Sequence, residues 1–180
     1  MKLIVLSGPG GVGKSTVISY LRANESNIWV SVSATTRSPR AGEVDGVDYY
    51  FLSNSEFDQW ISEDKFLEWA DFAGARYGTP KQFVNEHLES GNSVLLELEI
   101  SGARQVRAKN PKALLVFLAP PSWEELEERL FKRGTDSEER RLARLALARA
   151  EMAAQGEFDL TLINTSVEEV AQRLISLALA

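Results

Sequence analysis

Cysteine is absent from the 180-residue chain, and histidine occurs once, at His87. The first absence excludes a disulfide framework, a thiol nucleophile and thiolate metal ligands, and the second excludes a multi-histidine metal centre. Basic residues are in deficit: 20 Lys and Arg stand against 26 Asp and Glu, giving a formal charge of -6 and a pI of about 5.0. A nucleic-acid surface normally needs the opposite balance, so no nucleic-acid partner is expected and any anion site has to be local. Long apolar runs are also missing. The run Leu3 to Leu6 is too short for the apolar part of a secretion signal, and nothing later approaches the length of a membrane span. A soluble cytoplasmic protein is therefore expected. What the chain does have is 44% apolar residues, enough for one compact α/β unit with small inserted lobes, without repeats or low-complexity tails.

Directly after that first apolar run comes Gly8-Pro9-Gly10-Gly11-Val12-Gly13-Lys14-Ser15-Thr16, which fits G-x-x-x-x-G-K-S/T at every fixed position. Glycines let the backbone curl until successive N–H groups point inward, and a helix N-terminus adds its positive end at the same spot. Lys14 supplies a mobile charge for β- and γ-phosphates, and the Ser15 hydroxyl is suited to ligating Mg²⁺. A strand before and a helix after are the context this loop requires, so the chain is expected to bind a nucleoside triphosphate.

Apolar patterning predicts further strands at 28–33, 49–52, 66–70, 76–78, 94–100, 113–118 and 158–163, with helices between them. Ser53 to Glu56, Ser122 to Glu125 and Ser166 to Glu169 have the form of capping boxes, and Thr79-Pro80-Lys81-Gln82 has the form of a helix start with Thr79 as N-cap. Strands that are nearly continuous apolar runs alternating with helices predict a parallel sheet covered on both faces. Residues 34–47 break the texture: polar, basic and punctuated by Gly and Pro, they form a loop long enough to suggest function. Arg37 and Arg40 there, with Tyr49 and Tyr77, could hold a second phosphate. Glu97 and Glu99 are carboxylates in an otherwise apolar strand, which marks them for a functional role. Asp71-Phe72-Ala73-Gly74 matches a GTPase D-x-x-G by spacing, but no N-K-x-D follows anywhere, so the match carries no weight.

Several separated segments together resemble the guanylate kinase family: Ser31 to Arg37, Pro39 to Glu43, Gly46 to Tyr49, Phe66 to Ala70, Tyr77 to Pro80 and Arg133 to Asp136, in order and at family spacing. The resemblance extends from the first strand to the last helix. It implies a P-loop-type parallel sheet flanked by helices, with core segments 1–33, 80–124 and 157–180, an inserted mixed α/β GMP-binding lobe at 34–79 and a helical lid at 125–156. It implies transfer of the γ-phosphoryl group of Mg·ATP to GMP, and to dGMP. Gly8 through Thr16 and Asn164 correspond to the ATP site. Arg37, Arg40, Tyr49 and Tyr77 correspond to the grip on the GMP phosphate, and Ser33, Glu68 and Thr79 to the guanine readers. Glu43 matches an acidic position that either holds the loop or touches GMP. Lys14, Arg133 and Arg144 would face the transferring phosphoryl group. Glu68 also makes chemical sense by itself, because a carboxylate can accept from both N1–H and N2–H₂ of guanine, whereas adenine turns an acceptor toward it.

The chain departs from the family pattern in places. Glu97 and Glu99 fall with the GMP-binding residues, at a strand end suited to contact the nucleotide or metal-bound water; Glu99 stands for an aspartate, and its extra methylene leaves open whether it reaches guanine, water or Mg²⁺. Ala143-Arg144 stands for an arginine pair, leaving Arg140, Arg141 and Arg149 as neighbours of the lid assignment. Thr165 follows Asn164 in place of aspartate, and Gly10 replaces serine. Two alternatives are a catalytically inactive module of the same fold that binds proteins, and a kinase for another nucleoside monophosphate. Such modules typically lose the phosphate loop, and this chain retains it.

Overall fold

The computed structural model describes residues 1–24, 27–131 and 138–180. The chain opens with β1 (Leu3–Ser7), the phosphate loop, α1 (Lys14–Asn24) and β2 (Ile28–Val30). It then crosses an inserted region: β3 (Ala34–Thr35), β4 (Tyr50–Phe51), α2 (Asn54–Ser62), β5 (Phe66–Phe72) and β6 (Ala75–Pro80). The main layer resumes with α3 (Lys81–Glu89), β7 (Ser93–Glu97), α4 (Ile100–Lys109), β8 (Leu114–Ala119) and α5 (Trp123–Phe131). It closes with α6 (Glu138–Ala153), a short 3-10 turn, β9 (Leu160–Ile163) and α7 (Val167–Leu179).

Five strands form one all-parallel sheet in the order β2-β7-β1-β8-β9. Alternation along β1 decides its two faces. Ile4 and Leu6 pack with Val17 and Leu21 of α1, Leu126 of α5 and Leu174 of α7, while Leu3 and Val5 pack with Val84 of α3 and Val106 of α4. Burial on both faces explains the continuous apolar runs that patterning picked out. The chain turns to opposite sides of β1 through β7 and β8, so the C-terminal end of β1 is a topological switch point, the usual place for a ligand crevice. The inserted region builds a second, mixed sheet in the order β4-β3-β6-β5, with its own small core of Ala34, Phe57 and Phe66. Phe57 and Phe66 stack at 4.4 Å between ring centroids. Among the described residues no helix is long and apolar enough to cross a membrane.

Two local expectations differ from what forms. The predicted strand at 94–100 stops at Glu97, and Ile100 already begins α4, so Glu97 and Glu99 sit at the strand's C-terminal end and on the turn after it. Thr79 does not cap α3. Pro80 occupies the cap without a side-chain hydrogen bond, because β6 runs on to residue 80 and the Thr79 hydroxyl is committed to Glu68. Ser53, Ser122 and Ser166 each accept the backbone N–H three residues on, but the full capping box predicted at all three is seen only at Ser53, where Glu56 also accepts the Ser53 N–H. Asp71 to Gly74 is the tight end of the β5–β6 hairpin, with Ala73 and Gly74 both at positive φ, which accounts for the chance resemblance to a switch motif.

Candidate active site

The phosphate loop fits only because its glycines lack side chains. A Cβ on Gly8 would lie 2.3 Å from the Leu118 carbonyl oxygen of β8, and one on Gly13 would lie 2.6 Å from Asn164 Nδ2. The loop is fastened by residues remote in sequence. Asn164 Nδ2 and Arg129 Nη1 donate to the Val12 carbonyl at 2.7 and 3.1 Å, and the Gly10 N–H donates to Glu151 Oε2 at 2.9 Å. Lys14 is 8% exposed, and its ammonium folds back to donate to the Gly8 and Pro9 carbonyls at 2.6 and 3.3 Å. At the head of α1, Ser15 Oγ donates to Glu97 Oε1 at 3.0 Å. Burial pushes the Glu97 carboxyl above its ordinary value, against the opposing pull of Ser15 and Lys14.

A second cationic corner stands on the inserted lobe. Arg37 donates from both terminal nitrogens to Glu43, at 2.8 and 2.9 Å, and the same carboxylate accepts the Arg40 N–H at 2.7 Å. Glu43 therefore holds both arginines of the loop, a bidentate arrangement that fixes the guanidinium plane. The pair shifts both groups toward their charged forms, raising Arg37 and lowering Glu43. The Arg37 guanidinium lies over the Tyr49 ring at 5.3 Å from its centroid. Tyr49 and Tyr77 meet edge to face with centroids 6.0 Å apart, and burial raises the Tyr49 phenol.

Between the two corners, β5 presents Glu68, which is only 5% exposed. Thr79 Oγ1 donates to its Oε1 at 2.7 Å from the neighbouring strand. Its Oε2 faces Gly102 on α4, where a Cβ would come within 2.8 Å. Burial raises the Glu68 carboxyl, with Thr79 and the more distant Lys109 pulling the other way. A buried carboxylate at the cavity wall, with Oε1 bonded to Thr79 and further lone pairs to offer, is suited to accept from a planar donor edge.

One cavity of about 1150 Å³ joins these parts. Gly10, Gly11, Gly13, Lys14, Ser15 and Thr16 line it on the loop side, with Asn164 beside them. Ser33, Arg37, Arg40, Glu43, Tyr49, Glu68 and Tyr77 line it on the lobe side, and Glu97 and Glu99 form its floor. Arg144 reaches it from α6. Gly8, Pro9, Val12 and Thr79 stand one layer behind: Val12 is buried beneath the loop and Thr79 behind Glu68. Arg133 lies outside the described residues. Among the lining residues that carried no sequence signal are Arg129 and Glu151, which read as ordinary polar positions on charged helices, and Gly102, whose role is visible only once α4 is laid against β5.

Comparison with known proteins gives a consistent result. The family model described as guanylate kinase matches residues 1–178. The guanylate kinase of Thermobifida fusca is 58% identical over 99% of this chain and 91% of its own length, and that of Streptomyces coelicolor is 57% identical over 98% and 89%. Among solved structures, a guanylate kinase from Anaplasma phagocytophilum superposes with a TM-score of 0.78 at 31% identity, covering 98% of this chain and 84% of that one.

Proposed function

The chain belongs to the guanylate kinase family and is an ATP:GMP phosphotransferase, and from that premise we propose how its residues divide the work. The phosphate loop holds the donor triphosphate, with the N–H groups of Gly11 through Thr16 on the β- and γ-phosphates and Asn164 bracing the loop from behind. Lys14 swings from the Gly8 and Pro9 carbonyls to the transferring phosphoryl group. Arg37, Arg40, Tyr49 and Tyr77 bind the acceptor phosphate, with Glu43 holding the arginines in register. Glu68 takes the N1–H and N2–H₂ of guanine, supported by Thr79 and Ser33, and Glu99 stands near the same floor. Residues 34–79 then form the acceptor lobe, and 125–156 the lid that brings Arg133 and Arg144 over the phosphates. These contacts do not involve the ribose 2′-hydroxyl, which leaves dGMP as a second acceptor.

A phosphate oxygen of GMP attacks the γ-phosphorus as the bond to the ADP oxygen breaks, giving ADP and GDP. The attacking oxygen is already anionic, so no side chain has to remove a proton, and the lone histidine is dispensable to the chemistry. His87 in fact stacks on Trp29 at 4.1 Å and is not among the residues that line the cavity. The protein's task is to hold two anions together and to neutralise charge on the phosphoryl group in flight, for which Lys14 and the lid arginines are the available cations.

The donor set fits Mg²⁺. Ser15 Oγ and Glu97 Oε1 converge at 3.0 Å as hard oxygen donors at the loop's edge, and among the described residues there is no cluster of three or more acidic, His or Cys side chains to form an all-protein cage. Ser15 would hold the ion directly, with Glu97 oriented on it or on its water; bound there with ATP, Mg²⁺ supplies charge neutralisation of the β- and γ-phosphates. The acidic balance of the chain argues against a nucleic-acid surface, while the local cations Lys14, Arg37 and Arg40 at the cavity support free nucleotides as its partners, and use of ATP fits a cytoplasmic setting.

The observation that carries this reading is that a buried Glu68, a cationic corner and a phosphate loop share one cavity. The test is a coupled assay with Mg·ATP and GMP, AMP, CMP or UMP in turn. GMP-dependent ADP release is expected, and failure to turn over GMP would overturn the reading.

A further inference from the structure

Glu151 is a buried carboxylate that the phosphotransfer scheme does not use. It lies near the end of α6, is 8% exposed, and accepts the Gly10 N–H across 141 residues of sequence. Its surroundings make it an expensive acceptor. Burial raises it, the Glu99 carboxyl faces it, and only the Gly10 N–H and the Lys14 charge work in its favour. On the other side of the loop, Arg129 of α5 donates to the Val12 carbonyl, two residues on. The loop is thus held by an acceptor on its N–H side and a donor on its C=O side. These two side chains come from the two helices that flank residues 132–137.

We propose that Glu151 and Arg129 are positioning residues of the donor site, fixing the peptide units of Gly10 to Val12 so that the loop's inward N–H groups stand ready for phosphate, and tying that geometry to the lid helices. The inference rests on the phosphate loop being the ATP site. A glycine-rich loop without such ties would have to be ordered at the moment the nucleotide binds, at a cost in affinity. The function Glu151 supplies is an acceptor oxygen at the right place. Its charge is secondary, since the neighbouring Glu99 and the burial both act against ionisation. Glutamine, which keeps an acceptor oxygen on a side chain of the same length, should therefore serve nearly as well.

The experiment measures ATP and GMP binding separately by calorimetry on the full chain, with thermal melts alongside. Glu151→Ala is expected to weaken ATP binding on the order of tenfold, the effect of losing one such hydrogen bond, with GMP binding within about twofold of the parent. Glu151→Gln is expected to restore most of the ATP affinity. Arg129→Met should show the same ATP-selective loss. If Glu151→Ala does not fold, the Gln variant and Arg129→Met still decide the matter. Equal losses for both nucleotides, unchanged ATP binding, or an affinity that rises when the carboxylate charge is removed would each overturn the proposal. Because ATP binding is read without turnover, a failure here is distinct from a failure to phosphorylate GMP.

Discussion

Lys14 and Glu68 show how single side chains are poised before substrate arrives. Lys14 is buried and bonded back onto two loop carbonyls, so its release toward substrate breaks hydrogen bonds to neutral acceptors. Removing it should leave ATP bound but untransferred. We expect Lys14→Ala to lower kcat by about a hundredfold or more in a steady-state assay, and retained turnover would move its role to an arginine. Glu68 has a thermodynamic signature. Its folded-state pKa is raised above the ordinary value of 4.5 by burial. Such a carboxyl binds its proton more tightly folded than unfolded, so stability falls as pH rises through the window above that value. Glu68→Gln escapes this cost. The variant should melt higher than the parent at neutral pH, with the difference shrinking below pH 4.5; a difference independent of pH would contradict the cause assigned. Thr79 marks the limit of local pattern at this scale. Thr-Pro-Lys-Gln satisfies every rule for a helix start, yet the hydroxyl goes to a carboxylate 11 residues away on the paired strand. The loop residues Gly8 to Thr16 were legible because backbone geometry and chemistry are encoded in consecutive positions. Glu151 and Arg129 were not, because the contact that gives each its meaning spans more than 100 residues.

At the scale of elements, the site depends on close approach as much as on polar chemistry. The first turn of α4 lies against β5 with Gly102 facing Glu68, and this contact sets how far the carboxylate projects into the cavity. A methyl group there would sit 2.8 Å from Oε2, and Glu68 has little room to retreat while Thr79 holds the other oxygen. Gly102→Ala should therefore raise the KM for GMP by roughly tenfold, as overpacking typically costs, while the KM for ATP stays unchanged; steady-state kinetics with each substrate varied in turn checks this. An unaltered GMP KM would show that Glu68 is not held as described. The parallel sheet itself was readable from its apolar runs, since strands buried on both faces leave no alternation to misjudge. Element ends were less so. Nothing in Val94 to Ile100 announces that the strand stops at Glu97, because the apolar residues at 98 and 100 continue into a turn and a helix that also bury them.

For the molecule as a whole, a cavity of about 1150 Å³ lined from both the main sheet and the inserted lobe puts the proposed donor and acceptor phosphate corners in one space. The main sheet supplies the donor loop and the carboxylate floor. The lobe, built on a small sheet with a separate core, supplies Arg37, Arg40 and Glu68. Bringing the two anions together in this way converts an encounter between repelling phosphates into a reaction within one bound assembly. In the proposed division of work the acceptor is chosen at Glu68, so selectivity for guanine would belong to the assembled site and to nothing smaller. Its most direct measurement is kcat/KM for GMP and for AMP, determined with Mg·ATP on the parent chain and on Glu68→Gln. The parent should prefer GMP by on the order of 10⁴, as sites that leave a buried polar group unpaired with the wrong ligand do, and the variant should lose most of that preference through the GMP value. Comparable turnover of AMP by the parent, or an undiminished preference in the variant, would contradict the assignment.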